Sequence, residues 1–449
     1  MNARTPTAQD YHQYVNVDEG WIDRRIFWEE QIYQRELEQI FARSWLFVAH
    51  DSMIPEPDDF YTTYMGEDGV IVVRQKDDSV RVFLNSCPHR GNKVCLADEG
   101  NTRSFVCNYH GWGFGPAGDL RGLPNEFVYD EGDIDKSKWG LKQARVATYK
   151  GLIFATFAED GPSLEEFLGD FRWYLDIMLD QDGGGTEFIG GGIKSYFNAN
   201  WKFGMDNFVG DAYHGAWTHD SGAKAVMGTG EGLPPADPNG SYHASVNGHG
   251  WEFGTDGIID IALLGQPKVL KYYETLRPKM AERLGELRSK IYGSIGSAGM
   301  FPNCGFLPGV QNFRVWLPRG PRKMEVRIWT MVNKNMPDEI KQAINIGSMQ
   351  TFNPAGLLEM DDGENWEGNT SVNKGVITRR EKLHYGCGLS RKIEHPELPG
   401  IVYDSQYNDA NQRHFYQRWA DLMSADSWDD VPTRYRPRYE GKSTMGVSR

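Results

Sequence analysis

The chain has 449 residues with a formal net charge of −14, 39% of them hydrophobic and 24% charged. That length exceeds what one hydrophobic core normally serves, so two domains are expected, and the acidic balance argues against nucleic acid, whose binding rests on clustered Lys and Arg. No run of about 18 apolar residues occurs and residues 1–10 hold no apolar segment, so neither a membrane span nor a secretory signal is expected and the cytoplasm is the expected compartment.

In chain order, residues 18–43 predict a helix, with Trp21, Ile22, Ile26, Phe27, Tyr33, Leu37 and Phe41 on an apolar face. The period then changes. Short β-rich runs follow at 45–48, 69–73, 80–84, 103–106, 142–149 and 152–157, separated by turn residues. Ser163, with Glu166 three residues on, predicts an N-capped helix. A strand at 195–200 and a helix from Trp201 to about His219 come next. A Gly/Pro/Asn-rich loop is expected over 221–257, and Gly228–Gly232 within it lacks the preceding strand and spacing of a dinucleotide loop. Helices are expected at 258–276 and, begun by Pro278, at 278–291. Strands at 310–317 and 324–332 suggest an antiparallel sheet, and helices at 337–349 and 411–423 complete the pattern. The fold class expected is α+β: an all-β domain inserted into a larger domain of antiparallel sheet and helices.

The β-rich region carries Cys87-Pro88-His89-Arg90-Gly91 and Cys107-Asn108-Tyr109-His110-Gly111-Trp112. Two thiolates and two imidazoles suit a Rieske [2Fe–2S] centre, in which one iron takes two Cys and the other two His. Zinc also accepts such a set, but zinc motifs usually pair Cys with Cys and His with His. Cys87 and Cys107 are therefore assigned to one iron, His89 and His110 to the other. Five cysteines are too few for a disulfide framework in this length, and Cys95, Cys304 and Cys387 are expected to be buried structural thiols.

The second cluster of chemistry is Asp206-Asn207-Phe208-Val209-Gly210-Asp211-Ala212-Tyr213-His214-Gly215-Ala216-Trp217-Thr218-His219. His214 and His219 would lie about 140° apart on a regular helix, so both reach one metal only where the helix is distorted, expected at Gly215. With a carboxylate from elsewhere they form the two-His-one-carboxylate set of mononuclear iron(II) oxygenases. Asp361 and Asp362 both qualify on chemistry alone.

With Phe352-Asn353-Pro354-Ala355-Gly356 and Asp361-Asp362-Gly363-Glu364-Asn365-Trp366, the chain resembles, over nearly its whole length, the large (α) subunits of Rieske non-heme iron aromatic-ring-hydroxylating dioxygenases of the naphthalene and biphenyl type. The resemblance implies an N-terminal helical segment at 1–43 packing on the catalytic domain, a Rieske domain at 44–162 and a catalytic iron domain at 163–449. It makes Asp362 the carboxylate ligand and gives Asp211 the part of bridging His214 to His110 of a neighbouring copy. Asn207, Phe208, Ala212, Gly215, Phe352 and Leu358 are the implied pocket positions, and 221–257 is expected to border its entrance. Small Ala212 and Gly215, and Leu358 where some relatives carry a bulkier aromatic, suggest room for biphenyl or fused arenes. No Arg or Lys stands there to pair a substrate carboxylate.

The implied reaction is cis-dihydroxylation of an apolar arene with O2. The alternative is a Rieske monooxygenase or demethylase of a polar or N-methyl substrate. The chain holds no flavin or nicotinamide fingerprint, so electrons from NADH are expected through a separate reductase and ferredoxin, with Trp112 a candidate docking residue at an exposed edge. Small β subunits in an α3β3 hexamer complete the implied assembly.

Overall fold

A computed structural model describes residues 10–130, 132–228, 240–255, 265–293 and 296–439. Its described residues form two compact units, one of 41–160 and one of 10–40 with 161–439.

The first unit is all-β. Its largest sheet orders Val80–Leu84, Asp68–Arg74, Asp59–Met65 and Glu99–Asn101 side by side, all antiparallel. Arg145–Tyr149, Leu152–Thr156 and Leu46–His50 make a second sheet. Phe105–Val106, Gly113–Phe114 and Leu120–Gly122 make a third. Ile71, Val73 and Phe83 face inward with Phe114 and Leu120, and Cys87 and Cys107 belong to the same buried cluster. The two cysteine loops are thus anchored to a core at their first residues.

The second unit is built on a nine-stranded antiparallel sheet. Its order runs Thr186–Phe197, Met324–Asn333, Asn312–Pro318, Cys304–Leu307, Ala298–Met300, His249–Gly254, Ser241–Val246, Ile401–Asp404 and Lys392–Ile393. The helices that matter for the site are α1 (Glu30–Glu36), α2 (Trp201–Phe208), α3 (Ala212–Thr218), α4 (Asp220–Met227), α5 (Asp338–Thr351), α6 (Glu359–Asn373) and α7 (Ala410–Ser424). Helix α2 lies on the strands at 298–318, and α7 on those at 241–254. Fully buried Glu36 of α1 accepts from Lys202 Nζ at 2.6 Å, Trp201 Nε1 at 2.9 Å and Trp419 Nε1 at 2.8 Å. A buried carboxylate is tolerable only with such partners, and this one ties α1 to α2 and α7.

Several local expectations are corrected. The helix expected over 18–43 is interrupted: Trp21–Asp23 is a strand paired with Lys382–His384, and the regular α-helix spans only Glu30–Glu36. The helix expected from Trp201 to His219 breaks at Gly210, whose φ of +145° suits glycine. Pro278 does not begin a helix but lies within one from Pro267 to Leu284. The buried stripe of Val269, Tyr273, Leu276 and Met280 runs straight past it, so packing of that face outweighs the missing N–H at an exposed position. The loop expected over 221–257 contains most of α4 and a hairpin of Ser241–Val246 with His249–Gly254. Asn247-Gly248 makes its two-residue turn, with φ of +53° and +82°, the signal of a tight hairpin. Most of Gly228–Gly232, and the start of the helix expected at 258–276, lie outside the described residues. Cys95 and Cys304 are buried as expected, but Cys387 is exposed.

Candidate active site and metal centres

In the all-β unit the two cysteine loops share one hydrogen-bond pattern. Each cysteine N–H donates to the carbonyl five residues on, Cys87 to Asn92 at 2.8 Å and Cys107 to Trp112 at 2.9 Å. Each cysteine carbonyl accepts from a glycine four residues on, Gly91 at 2.8 Å and Gly111 at 2.9 Å. Both glycines sit in the left-handed region, φ +76° and +74°, where a side chain would be strained. The closed turns aim the N–H groups of His89 and Arg90 at the Cys87 sulfur, and those of Tyr109 and His110 at the Cys107 sulfur.

The imidazoles of His89 and His110 meet with ring centroids 4.5 Å apart. His89 Nδ1 is buried without a hydrogen-bond partner. Two buried thiols, two converging imidazoles and a ring nitrogen left with a free lone pair fit a [2Fe–2S] cluster of mixed ligation. Trp112 is a correction: it is 6% exposed and stacks on His89 with centroids 4.9 Å apart, so it supports a ligand from below and offers no docking surface. The exposed aromatic of these loops is Tyr109, at 59%.

In the second unit, α3 ends at Thr218 and α4 begins at Asp220, so His219 sits at the junction with φ −97° and ψ 4°. The irregularity that turns both histidines inward lies there and at Gly210, and Gly215 is a regular buried helical residue. His214 Nε2, His219 Nε2 and Asp362 Oδ1 form a triangle with every edge 3.2 Å. Among the described residues this is the group of side chains placed to share one ion. Asp362 Oδ1 is buried and faces only the two imidazole Nε2 atoms. Burial alone would raise its pKa, but the hydrogen bonds and charge of the two imidazoles hold the carboxyl below its ordinary range. Three lone-pair atoms converging on one point, one of them anionic, fit a divalent iron.

The surroundings fix these ligands. His214 Nδ1 is hydrogen-bonded to the Asp211 carbonyl and lies 3.4 Å from the Asp211 carboxylate, which keeps the proton on Nδ1 and Nε2 free for metal. Asp361 is no corner of the triangle; its carboxylate lies 3.5 Å from His219 Nδ1. Buried Arg314 donates to Glu359 of α6 at 2.5 Å and to the Phe352 carbonyl at 3.0 Å, with its guanidinium 4.4 Å from the Phe208 ring centroid. One cation therefore joins the helix carrying Asp362 to two walls of the adjacent cavity.

That cavity opens beside the triad. Asn207, Phe208, Ala212, Gly215, Phe352 and Leu358 all line it, together with Glu252, Gly296, Ser297, Leu307 and Val310, which the sequence reading missed. Gly222 of α4 packs so closely on Leu358 that a Cβ there would stand 2.7 Å from Leu358 Cδ2. Of the described residues of the stretch 221–257, Glu252 lines the cavity. On the other side of the triad lies a polar cleft that includes Asp206, Asp211, Tyr213, Tyr385 and Asp409.

Residues 164–425 match the model of the ring-hydroxylating α subunit catalytic domain, and residues 44–131 that of the Rieske [2Fe–2S] domain. The chain is 41% identical to the biphenyl dioxygenase α subunit of Paraburkholderia xenovorans, across 94% of this chain and 95% of that one. It is 40% identical to a benzene 1,2-dioxygenase α subunit of Pseudomonas putida, across 91% and 92%. A solved naphthalene 1,2-dioxygenase with indole in its active site superposes with a TM-score of 0.88 at 34% identity, across 94% of this chain and 97% of that one.

Proposed function

The chain belongs to the family of ring-hydroxylating dioxygenase α subunits, and on that premise we propose that it is the terminal oxygenase that cis-dihydroxylates apolar aromatic rings such as naphthalene, biphenyl or larger fused arenes. The observation that carries this reading is the apolar cavity ending on the triangle of His214, His219 and Asp362.

When bound, the cluster supplies electrons and the mononuclear iron activates O2. The protein's own residues do the rest. Phe208, Leu307, Val310, Phe352 and Leu358 hold an arene by apolar contact and exclude water from the reacting face. Small Ala212 and Gly215 leave the ring room to lie flat over the triad. The balance is arene, O2, two electrons and two protons giving one cis-dihydrodiol. The electrons come from NADH through a ferredoxin and its reductase, and small β subunits accompany α in an α3β3 assembly. Asp211, with its carboxylate turned to His214 on the side of the polar cleft, bridges to His110 of a neighbouring copy and carries the electron path between subunits.

The test is consumption of NADH and O2 by the protein with its electron-transfer proteins, with and without naphthalene, followed by product analysis over a panel of arenes. Vicinal cis-diols carrying both atoms of labelled O2 are expected. A demethylated or singly hydroxylated product as the main outcome would overturn the reading.

A further inference from the structure

Helix α3 carries His214 and delivers His219, yet its own N-cap residue does no capping. An Asp at that position ordinarily accepts a hydrogen bond from an N–H two or three residues on. Asp211 makes no such bond, and its carboxylate is turned to His214 Nδ1 instead. The first N–H of the helix, that of Ala212, donates across the fold to Glu252 Oε2 at 2.6 Å. Glu252 sits on the strand His249–Gly254 and is 2% exposed. Its other oxygen accepts from the Ser297 hydroxyl at 2.9 Å, and Oε2 also lies 3.6 Å from His243 Nε2, which is 3.1 Å from the Gln406 carbonyl oxygen. Glycines make the approach possible: a Cβ at Gly296 would stand 2.0 Å from the Glu252 carbonyl oxygen, and one at Gly210 would stand 3.2 Å from Glu252 Cβ.

A buried carboxylate beside an apolar cavity is costly unless its oxygens are hydrogen-bonded, and both oxygens of Glu252 are, to Ala212 N–H and to the Ser297 hydroxyl. We propose that Glu252 is a positioning residue for the mononuclear iron: by taking over the cap of α3 it sets the helix in register and releases the Asp211 carboxylate to orient His214. Glu252 touches neither ligand. It acts through the backbone at Ala212, two residues before His214, and through Ser297 it fixes the neighbouring cavity wall to the same point. This inference rests on reading His214, His219 and Asp362 as the iron site.

Two conservative variants separate reach from charge. Glu252→Gln keeps a carbonyl oxygen at the distance Ala212 N–H requires, and its amide can donate to Ser297. Glu252→Asp keeps the charge but is one methylene too short. The measurement is the affinity of the assembled protein for its mononuclear iron, by competition with a chelator, with the cluster absorbance followed in the same samples. Loss of an outer partner of a metal ligand typically weakens metal affinity by about 10- to 100-fold. That loss is expected in Glu252→Asp, with an unchanged cluster spectrum, while Glu252→Gln stays below about tenfold. Wild-type affinity in Glu252→Asp would overturn the proposal, and so would equal weakening in both variants, which would make the charge or the packing decisive. Absence of mononuclear iron from the wild-type protein would instead sink the reading of the triad itself.

Discussion

The two candidate metal centres are built by opposite strategies. The cysteine loops are local: two short turns repeat one hydrogen-bond pattern, each closed by a left-handed glycine, and their ligands fall between Cys87 and His110. The histidine–carboxylate triangle is distributed. It needs a break at Gly210, a junction at His219, a carboxylate from α6, and buried polar partners, Glu252 and Arg314, contributed by strands of the large sheet. A local site tolerates change elsewhere in the chain. A distributed one inherits every shift in the elements that hold it.

The largest expected effects separate the two centres outright. His214→Ala, His219→Ala or Asp362→Ala should reduce product to background while the cluster keeps its absorbance and remains reducible. Cys107→Ala or His110→Ala should bleach the cluster and leave the second unit folded. Iron and sulfide analysis on each variant checks this against about three irons per wild-type chain, two in the cluster and one mononuclear. Should Asp361→Ala lose the mononuclear iron while Asp362→Ala keeps it, the carboxylate has been assigned wrongly.

Next in size is the link between the centres. Asp211→Ala and Asp211→Asn should weaken the hold on the mononuclear iron and, even when excess iron fills both centres, should nearly abolish turnover, because the amide loses the charge and one acceptor site. Rapid mixing of the reduced protein with substrate and O2 is the check, and cluster reoxidation at the wild-type rate would remove Asp211 from the electron path.

The same contrast decides what could be read from sequence. Cysteine and histidine spacing specifies a local turn, so the two matching loops and the meeting of their side chains were legible from sequence. His214 and His219 were legible as a pair, but not the place of the distortion, because Gly215 is the tempting residue and the tertiary junction at His219 leaves no local mark. Asp361 and Asp362 are neighbours of equal chemistry, and only the phase of α6 against the sheet selects between them. Trp112 was misjudged because burial of an aromatic depends on what stacks beneath it. Glu252 was missed for a simpler reason: its strand lay in a stretch read as loop, although Asn247-Gly248 is a hairpin signal.

A moderate effect tests the apolar face of the distributed site. Leu358 is 1% exposed and pressed against Gly222, so Leu358→Trp must place its extra volume in the cavity. Overfilling a packed space costs about 1–3 kcal/mol, which corresponds to losing about 5- to 150-fold in kcat/KM for three- and four-ring arenes. Naphthalene should lose less. Equal losses for every ring size would show that Leu358 does not set the size of the pocket.

The smallest effect sharpens the comparison from the polar side of the triad. Asp206 accepts hydrogen bonds from Tyr385 at 2.5 Å and Tyr416 at 2.6 Å. Burial nonetheless pushes its pKa up to about 7, against the two tyrosines and with the help of nearby Asp211 and Asp409. Asp362, by contrast, is held below its ordinary range, so the two buried acids respond to pH with opposite signs. Between its unfolded and folded values, Asp206 binds a proton in the folded chain that the unfolded chain has released. Raising the pH through that window therefore removes stability, which is fully present below the unfolded value and lost by the time pH passes about 7. Asp206→Asn keeps an acceptor oxygen for the tyrosines and has no proton to lose. Its Tm relative to wild type should improve from pH 5 to pH 8 by at least about 2 °C, the shift that roughly 1 kcal/mol produces in a large domain. Parallel Tm curves over that range would show that Asp206 does not change its protonation there. A gain confined to the acid side would reverse the sign argued here.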